Sequence, residues 1–188
     1  AGRYSPGMTA GPITEDAPLR AVHPYGLQKI AGELLAERAR DDGLDVVVVR
    51  PFNHVGPGQD ERISVNHFAR QIVAAERGEV EPLIHVGNLE PRRDILDVRD
   101  VVRAYLALLD AERPPSPVNV ARGESVRIGD ALDMLIGAAR VPVRVEADPS
   151  RYRPLDVPDI AGDSGRLRSA TGWSPTISVP ETLLGILE

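Results

Sequence analysis

Apolar positions recur along this chain with two periods. Over residues 24–42, Leu27, Ile30, Ala31, Leu34, Leu35 and Ala39 follow the three-and-four spacing of a helix. Pro24 suits its first turn, where a missing N–H costs nothing. Gly43, after Asp41 and Asp42, is placed to cap its far end. The run "DVVVVRPF", residues 45–52, is continuous and β-branched and predicts a strand buried on both faces. "NHVGPGQ", residues 53–59, predicts a loop. A helix over 63–77 ends at Gly78, and short strands over 82–87 and 92–98 flank the turn "GNLEP". Residues 98–111 return to helix with Val98, Val101, Val102, Tyr105, Leu106, Leu108 and Leu109. A strand over 117–121, a helix over 126–139 with Ser125 as N-cap and a strand over 141–148 follow. The loop 150–168 leads into a short helix, and 179–188 forms the last one.

This alternation of helix and strand predicts an α/β fold. A doubly wound domain normally opens with a strand, a Gly-rich turn and a helix that hold a dinucleotide. No G-x-G-x-x-G or G-x-x-G-x-x-G occurs here, and the chain opens in the loop-like "AGRYSPGMTAGPITEDAPLR". The pattern is therefore that of the C-terminal part of a Rossmann-like parallel sheet, with a smaller mixed α/β substrate-binding domain attached. Residues 1–59 are expected to be the remnant of the dinucleotide-binding domain. Residues 60–188 are expected to be mainly substrate-binding, with 92–121 partly returning to the Rossmann sheet. Left without neighbours, the apolar run 45–52 would have an unpaired edge, which predicts self-association or a complementing N-terminal segment.

Composition narrows the function. The chain has 188 residues, 42% of them hydrophobic, enough for one core and one or two domains. A formal charge of −6 disfavours nucleic acid as the main partner but leaves room for a small anionic ligand met by a few arginines. The absence of cysteine removes disulfides, thiolate catalysis and Cys–zinc sites. No apolar run reaches membrane-spanning length and no signal peptide opens the chain, so the expectation is a cytoplasmic protein with no membrane partner. The histidines at 23, 54, 67 and 85 are scattered, so no metal site is expected.

Tyr25 and Lys29 stand at i and i+4 on one helix face. An ammonium beside a phenol favours the phenolate, which suits proton transfer, although the spacing also fits a packed Tyr beside a solvated Lys. Arg92 and Arg93 open a strand and so point to opposite faces, and one of them can meet a phosphate. Asp94, Asp97, Arg99 and Asp100 are expected to pair with one another or to cap the helix that follows. His54 suits either a ligand contact or a structural hydrogen bond. Trp173 is expected to anchor packing.

Four ordered stretches, "PYGLQK", "VVVVRPFNHVGPGQ", "PRRDILDVRDVVRAY" and "RYRPLDVPDIAGDSGRLRSATGWSP", resemble the extended short-chain dehydrogenase/reductase family. Within its nucleotide-sugar branch they resemble most the GDP-4-keto-6-deoxymannose reductases. The resemblance implies an NAD(P)-dependent oxidoreductase, NADP before NAD, that reduces the C4 ketone of a GDP-linked sugar. Tyr25 would be the proton donor, and Lys29 would assist it and bind the nicotinamide ribose. Pro51, Asn53, His54 and Val55 would line the nicotinamide, and Asn53 would also bind substrate. Arg93 would meet the nucleotide diphosphate or ribose, Arg153 the diphosphate, and Asp156 the ribose hydroxyls. Arg92 would face solvent or make a second contact. A third catalytic residue, Ser or Thr, would fall just before Ala1. Ala1 and Gly2 stand where the related dehydratases carry an acidic residue, which favours a reductase over a 4,6-dehydratase or a 4-epimerase. A non-catalytic nucleotide-sugar-binding fragment is the remaining alternative. The resemblance further implies a homodimer packed through the 24–42 helix, although core packing explains that stripe equally well.

Overall fold

The computed structural model describes residues 11–21, 24–59, 64–152 and 157–187. The architecture is mixed α/β. Helix α1 spans Pro24–Asp41, beginning at the proline as expected. It closes at Gly43, whose φ of +94° lets its N–H reach Arg40 O at 2.9 Å.

Strand β1, Val49–Pro51, and strand β2, Asn53–Val55, are separated by Phe52 alone. β1 runs parallel to β6, Val118–Val120, in the register Arg50 to Asn119. β2 runs parallel to β5, Ile95–Asp97, with His54 opposite Leu96. The chain thus leaves one ladder and joins another at Phe52. The carboxyl end of a strand where ladders part is the place at which open α/β sheets take ligands.

The long strand expected over 45–52 is a correction. Only Val49–Pro51 pairs within it, and its fully buried members are Val48, Arg50 and Phe52. The strands buried at every position are β5 and its neighbour in the core, β6, instead. Successive strand residues point to opposite sides, and Ile95 joins one apolar cluster while Leu96 joins another. Each such side chain contributes about 1.5–3 kcal/mol of burial.

The first cluster gathers Val55, Phe68, Ile72, Ile84, Leu132, Leu135 and Leu183. It joins α2 (Ser64–Glu76), β3 (Leu83–Val86), α4 (Ile128–Ala138) and α6 (Val179–Gly185). The second packs Val101, Ala104 and Leu108 of α3 (Val98–Leu109) on Val118, Val120 and Leu167. Trp173 completes it, 5% exposed, its indole N–H donating to Asp100 O at 3.0 Å, which is the packing role expected of it. The third cluster holds Ile13, Phe52, Ala121, Val157 and Ile160.

Residues 53–55 of the expected loop pair as β2, and two more expectations differ from the structure. Ser125 does not cap a helix from 126. Val126 and Arg127 form strand β7, antiparallel to β4 (Arg92–Arg93), and α4 starts only at Ile128. Ser125 is drawn to the same strand, its hydroxyl accepting from Arg92 Nε at 3.3 Å. The apolar stripe of α1 is the second correction, because Leu27, Leu34 and Leu35 are 62%, 61% and 72% exposed. The described residues that α1 buries are Gly26 and Glu33, so apolar core packing does not seat this helix.

The rest of the chain closes around β4. Strand β9, Asp159–Ile160, lies parallel to it, while β8, Arg144–Ala147, pairs with β3. A single 3-10 turn, Pro149–Arg151, precedes β9, and α5, Gly165–Thr171, follows it. Gly162 is required where β9 ends, since a Cβ there would stand 2.5 Å from the Phe52 ring and 2.6 Å from Ala121 Cβ.

Candidate functional site

α1 presents Tyr25 and Lys29 to the outside. The Lys29 ammonium stands 5.3 Å from the centroid of the Tyr25 ring, and Tyr25 is 65% exposed. A cation over an aromatic face is an attractive contact, so the two form a pair in space as well as in spacing. Lys29 is also the chain's single lysine among 22 basic residues. That signal was available in the sequence and is sharper than the spacing, because an arginine would serve solubility equally well but cannot act as an amine.

What seats this helix is a buried ion pair. Glu33 is 5% exposed and Arg50 of β1 is 6% exposed. Arg50 Nε donates to the two carboxylate oxygens of Glu33 at 3.1 and 3.2 Å, and Arg50 Nη1 donates to Glu15 O at 2.7 Å. Glu15 in turn accepts from the Asn119 N–H at 2.8 Å and pairs with Arg166 at 3.4 Å. Asn119 Nδ2 donates to Ile13 O at 2.9 Å. The segment before α1, the helix itself and the β1–β6 ladder are therefore tied by one polar network. Sequence reading missed Glu33 and Arg50. The signal was Arg50 itself, a charge inside an apolar run, which demands a buried partner.

Beyond Arg50 the chain passes through Pro51 and Phe52 to Asn53 and His54, both half-buried. The side-chain amide of Asn53 has no hydrogen-bond partner among the described residues. The His54 ring is held by a 3.0 Å hydrogen bond between Nδ1 and Phe52 O. A carbonyl only accepts, so Nδ1 carries a proton. Val55 is 2% exposed and packs into the first cluster, so its side chain is core and its backbone is what the loop can offer. Gln59 and Asn66 donate to His54 O at 3.0 Å and Gly56 O at 3.3 Å. Their Oε1 and Oδ1 atoms are buried without a partner among the described residues.

The two arginines of β4 diverge as the pleat requires. Arg92 donates to Ser125 O at 2.8 Å and lies 3.8 Å from Asp159. Arg93 donates to Val157 O at 2.7 Å. Val157 follows the segment that holds Arg153 and Asp156, which both lie outside the described residues. The same holds for Ala1 and Gly2, on which the expectation of a reductase over a dehydratase rests.

Asp94 lies between these parts with no exposed surface. It accepts the N–H groups of Arg122 at 2.9 Å, Gly123 at 2.9 Å and Gly162 at 3.1 Å. Burial raises its carboxyl above the usual range, against the pull of those three N–H groups. Asp97 caps α3 through the Arg99 N–H at 2.8 Å, and the Arg99 guanidinium holds it below the usual range. Burial works against the charged form of Asp100, but Arg103 and the N–H groups of Ile177 and Thr176 outweigh it and keep this carboxyl low as well. The expected capping and pairing of Asp97 and Arg99 are thus present, whereas Asp100 pairs with Arg103 and accepts from Thr176 and Ile177 instead. The role of Asp94 as a hub for three loops was not foreseen.

Comparison with known proteins decides the family. The model of the GDP-mannose 4,6 dehydratase family matches residues 7–184. The chain belongs to this family. It is 35% identical over 177 residues to a GDP-6-deoxy-D-mannose reductase of Pseudomonas aeruginosa, covering 94% of the chain and 58% of that protein. It is 28% identical to GDP-mannose 4,6 dehydratase 1 of Arabidopsis thaliana, covering 91% of the chain and 48% of that protein. The structure of RMD from Pseudomonas aeruginosa, complexed with NADPH, matches with a TM-score of 0.90 and 33% identity, over 99% of this chain and 62% of that one. MoeE5 in complex with UDP-glucuronic acid and NAD matches with a TM-score of 0.83 and 26% identity, over 98% of this chain and 60% of that one. This member of the family thus spans about half to two-thirds of the length of the relatives it matches, and the α/β fold expected from its sequence is theirs. No helix among the described residues is long and apolar enough to cross a membrane.

Proposed function

We propose that this chain is the substrate-side part of an NAD(P)-dependent nucleotide-sugar reductase that acts on the C4 ketone of a GDP-linked 4-keto-6-deoxyhexose. The observation that carries the reading is the Tyr25–Lys29 contact, formed by the chain's single lysine on an exposed helix face. The reductase relative of Pseudomonas aeruginosa supports the substrate class.

In this reading Tyr25 gives its phenolic proton to the C4 oxygen as hydride arrives at the carbon. Lys29 stabilises the phenolate left behind, since an adjacent cation favours the charged form. A nicotinamide cofactor supplies that hydride when bound. The side chains present fit it, with the exposed Lys29 ammonium to meet ribose hydroxyls. Lys29 and Tyr25, with Pro51, Asn53, His54 and the backbone of Val55, would hold its nicotinamide end. Asn53 would also bind the sugar. Arg93 would meet the nucleotide diphosphate, together with Arg153, and Asp156 would take the ribose hydroxyls. Residues 1–59 and the returning stretch 92–121 would form the cofactor side, and the remainder of 60–188 the substrate side.

The test is a substrate panel with the purified protein, alone and supplied with the part of the Pseudomonas aeruginosa relative that this chain does not span. Oxidation of NADPH on GDP-4-keto-6-deoxymannose supports the reading. Dehydration of GDP-mannose with no such oxidation would place the protein with the dehydratases. Calorimetric binding of GDP-sugar without turnover in either format would make it a binding module.

A further inference from the structure

The Glu33–Arg50 pair does more than seat α1. Tyr25, Lys29 and Glu33 follow one another at four-residue intervals, so all three lie along one face of the helix. Glu33 therefore stands one turn beyond Lys29, at the spacing from which a carboxylate captures an ammonium on a helix. Lys29 and Glu33 also border the same groove, of about 560 Å³, between α1 and residues Val47 and Val48. Yet the ammonium is found in the opposite direction, over the Tyr25 ring.

The reason is on β1. Arg50 engages both Glu33 oxygens and draws the carboxylate inward, where it is 5% exposed. A planar guanidinium that meets two oxygens at once out-competes a single flexible ammonium for them. The other charged groups packed at this point are committed elsewhere, with Glu15 bonded to Asn119 and Arg166, and Asp16 paired with Arg166 at 2.6 Å. We infer that Arg50 is a positioning residue, which withdraws Glu33 from Lys29 and so leaves the ammonium to Tyr25. The functional weight of this inference rests on the reductase reading, but the placement of Lys29 does not.

The test separates the two. The lone lysine gives the chain one set of lysine ε-CH₂ signals, which a position over the Tyr25 ring moves upfield through the ring current. Four variants are compared with the parent: Y25F as a control, R50M, E33Q, and the double variant E33M/R50M. R50M frees a carboxylate one turn from Lys29, and the upfield shift is lost. E33Q and E33M/R50M hold no carboxylate at 33, and the shift stays. A thermal melt of each variant reports folding. If R50M does not fold, R50Q, whose amide still donates into the site, takes its place with the same expected loss. In a protein that turns over, kcat of the Glu33 and Arg50 variants follows the same order, down by up to about 100-fold in R50M and recovered in the double variant. A shift kept in the Arg50 single variants overturns the inference. So does a shift lost equally in E33M/R50M, because the pair would then act by packing alone. If the shifts follow the predicted pattern while no variant and no parent turns over, the reductase reading fails and the positioning stands.

Discussion

Arg93 donates to the carbonyl of Val157 at 2.7 Å, and so joins β4 to the residue that follows Arg153 and Asp156 in the sequence. Under the proposed function this contact sets where the nucleotide end of the substrate is met. Replacing Arg93 by Lys keeps the charge and removes the planar fork. Hydrogen bonds to a charged group are worth about 1.5–3 kcal/mol, so GDP-sugar affinity is expected to fall roughly tenfold to 100-fold by calorimetry. Arg92→Lys, on the opposite face and bonded to Ser125, is expected to leave affinity unchanged.

The Asp94 hub is a stability prediction. Asp94→Asn puts an NH₂ group where the carboxylate meets three N–H groups, and at least one of these loses its acceptor. Leaving a buried polar group unpaired costs about 1–3 kcal/mol each, and a lower melting temperature measures it.

Acid sensitivity follows from Asp97 and Asp100. Both carboxyls are held below their usual range, by Arg99 in one case and by Arg103 with backbone N–H groups in the other. Their stabilising contribution is therefore full above the unfolded value near pH 4 and is lost as pH falls through the depressed folded values. Asp94 runs the other way, favouring the folded state most when protonated and losing that contribution as pH rises through its raised value. Melting temperatures between pH 6 and 3 are expected to drop less steeply in Asp100→Asn than in the parent.

Close approach at Gly162 gives a further expectation. Gly162→Ala drives a methyl into the Phe52 ring and Ala121, and overpacking of this kind costs typically about 1–3 kcal/mol. Calorimetric unfolding is the measurement. By contrast Leu34→Gln and Leu35→Gln, on the exposed face of α1, are expected to stay within about 0.5 kcal/mol of the parent. If the homodimer that the resemblance implies packs through this helix, light scattering of the same variants is expected to show it weakened.

Helices were the most legible elements. α1 begins at Pro24 and closes at Gly43 because proline and glycine carry local backbone rules that tertiary context rarely overrides. The strands were less legible. "DVVVVRPF" has the composition of a doubly buried strand, but its ladder with β6 is short, and the strands enclosed at every position are β5 and β6, whose three residues each are too few to show a pattern. Ser125 reads as an N-cap by type, yet pairing of Val126–Arg127 with β4 claims the residues that would have opened the helix. The candidate site was legible in its chemistry through Tyr25, Lys29, Asn53 and Arg93. It was not legible in what holds it together, because the partner of Arg50 is 17 positions away and becomes its neighbour only on folding.

The central claim is that Tyr25 is the proton donor of a C4 reduction. Steady-state oxidation of NADPH on GDP-4-keto-6-deoxymannose, compared between the parent and Tyr25→Phe in the format that turns over, tests it most directly. General acid catalysis contributes about 100-fold to 10,000-fold, so kcat is expected to fall by at least about 100-fold with GDP-sugar affinity retained. A Tyr25→Phe protein that keeps kcat within about threefold of the parent, far less than a general acid supplies, would contradict the account.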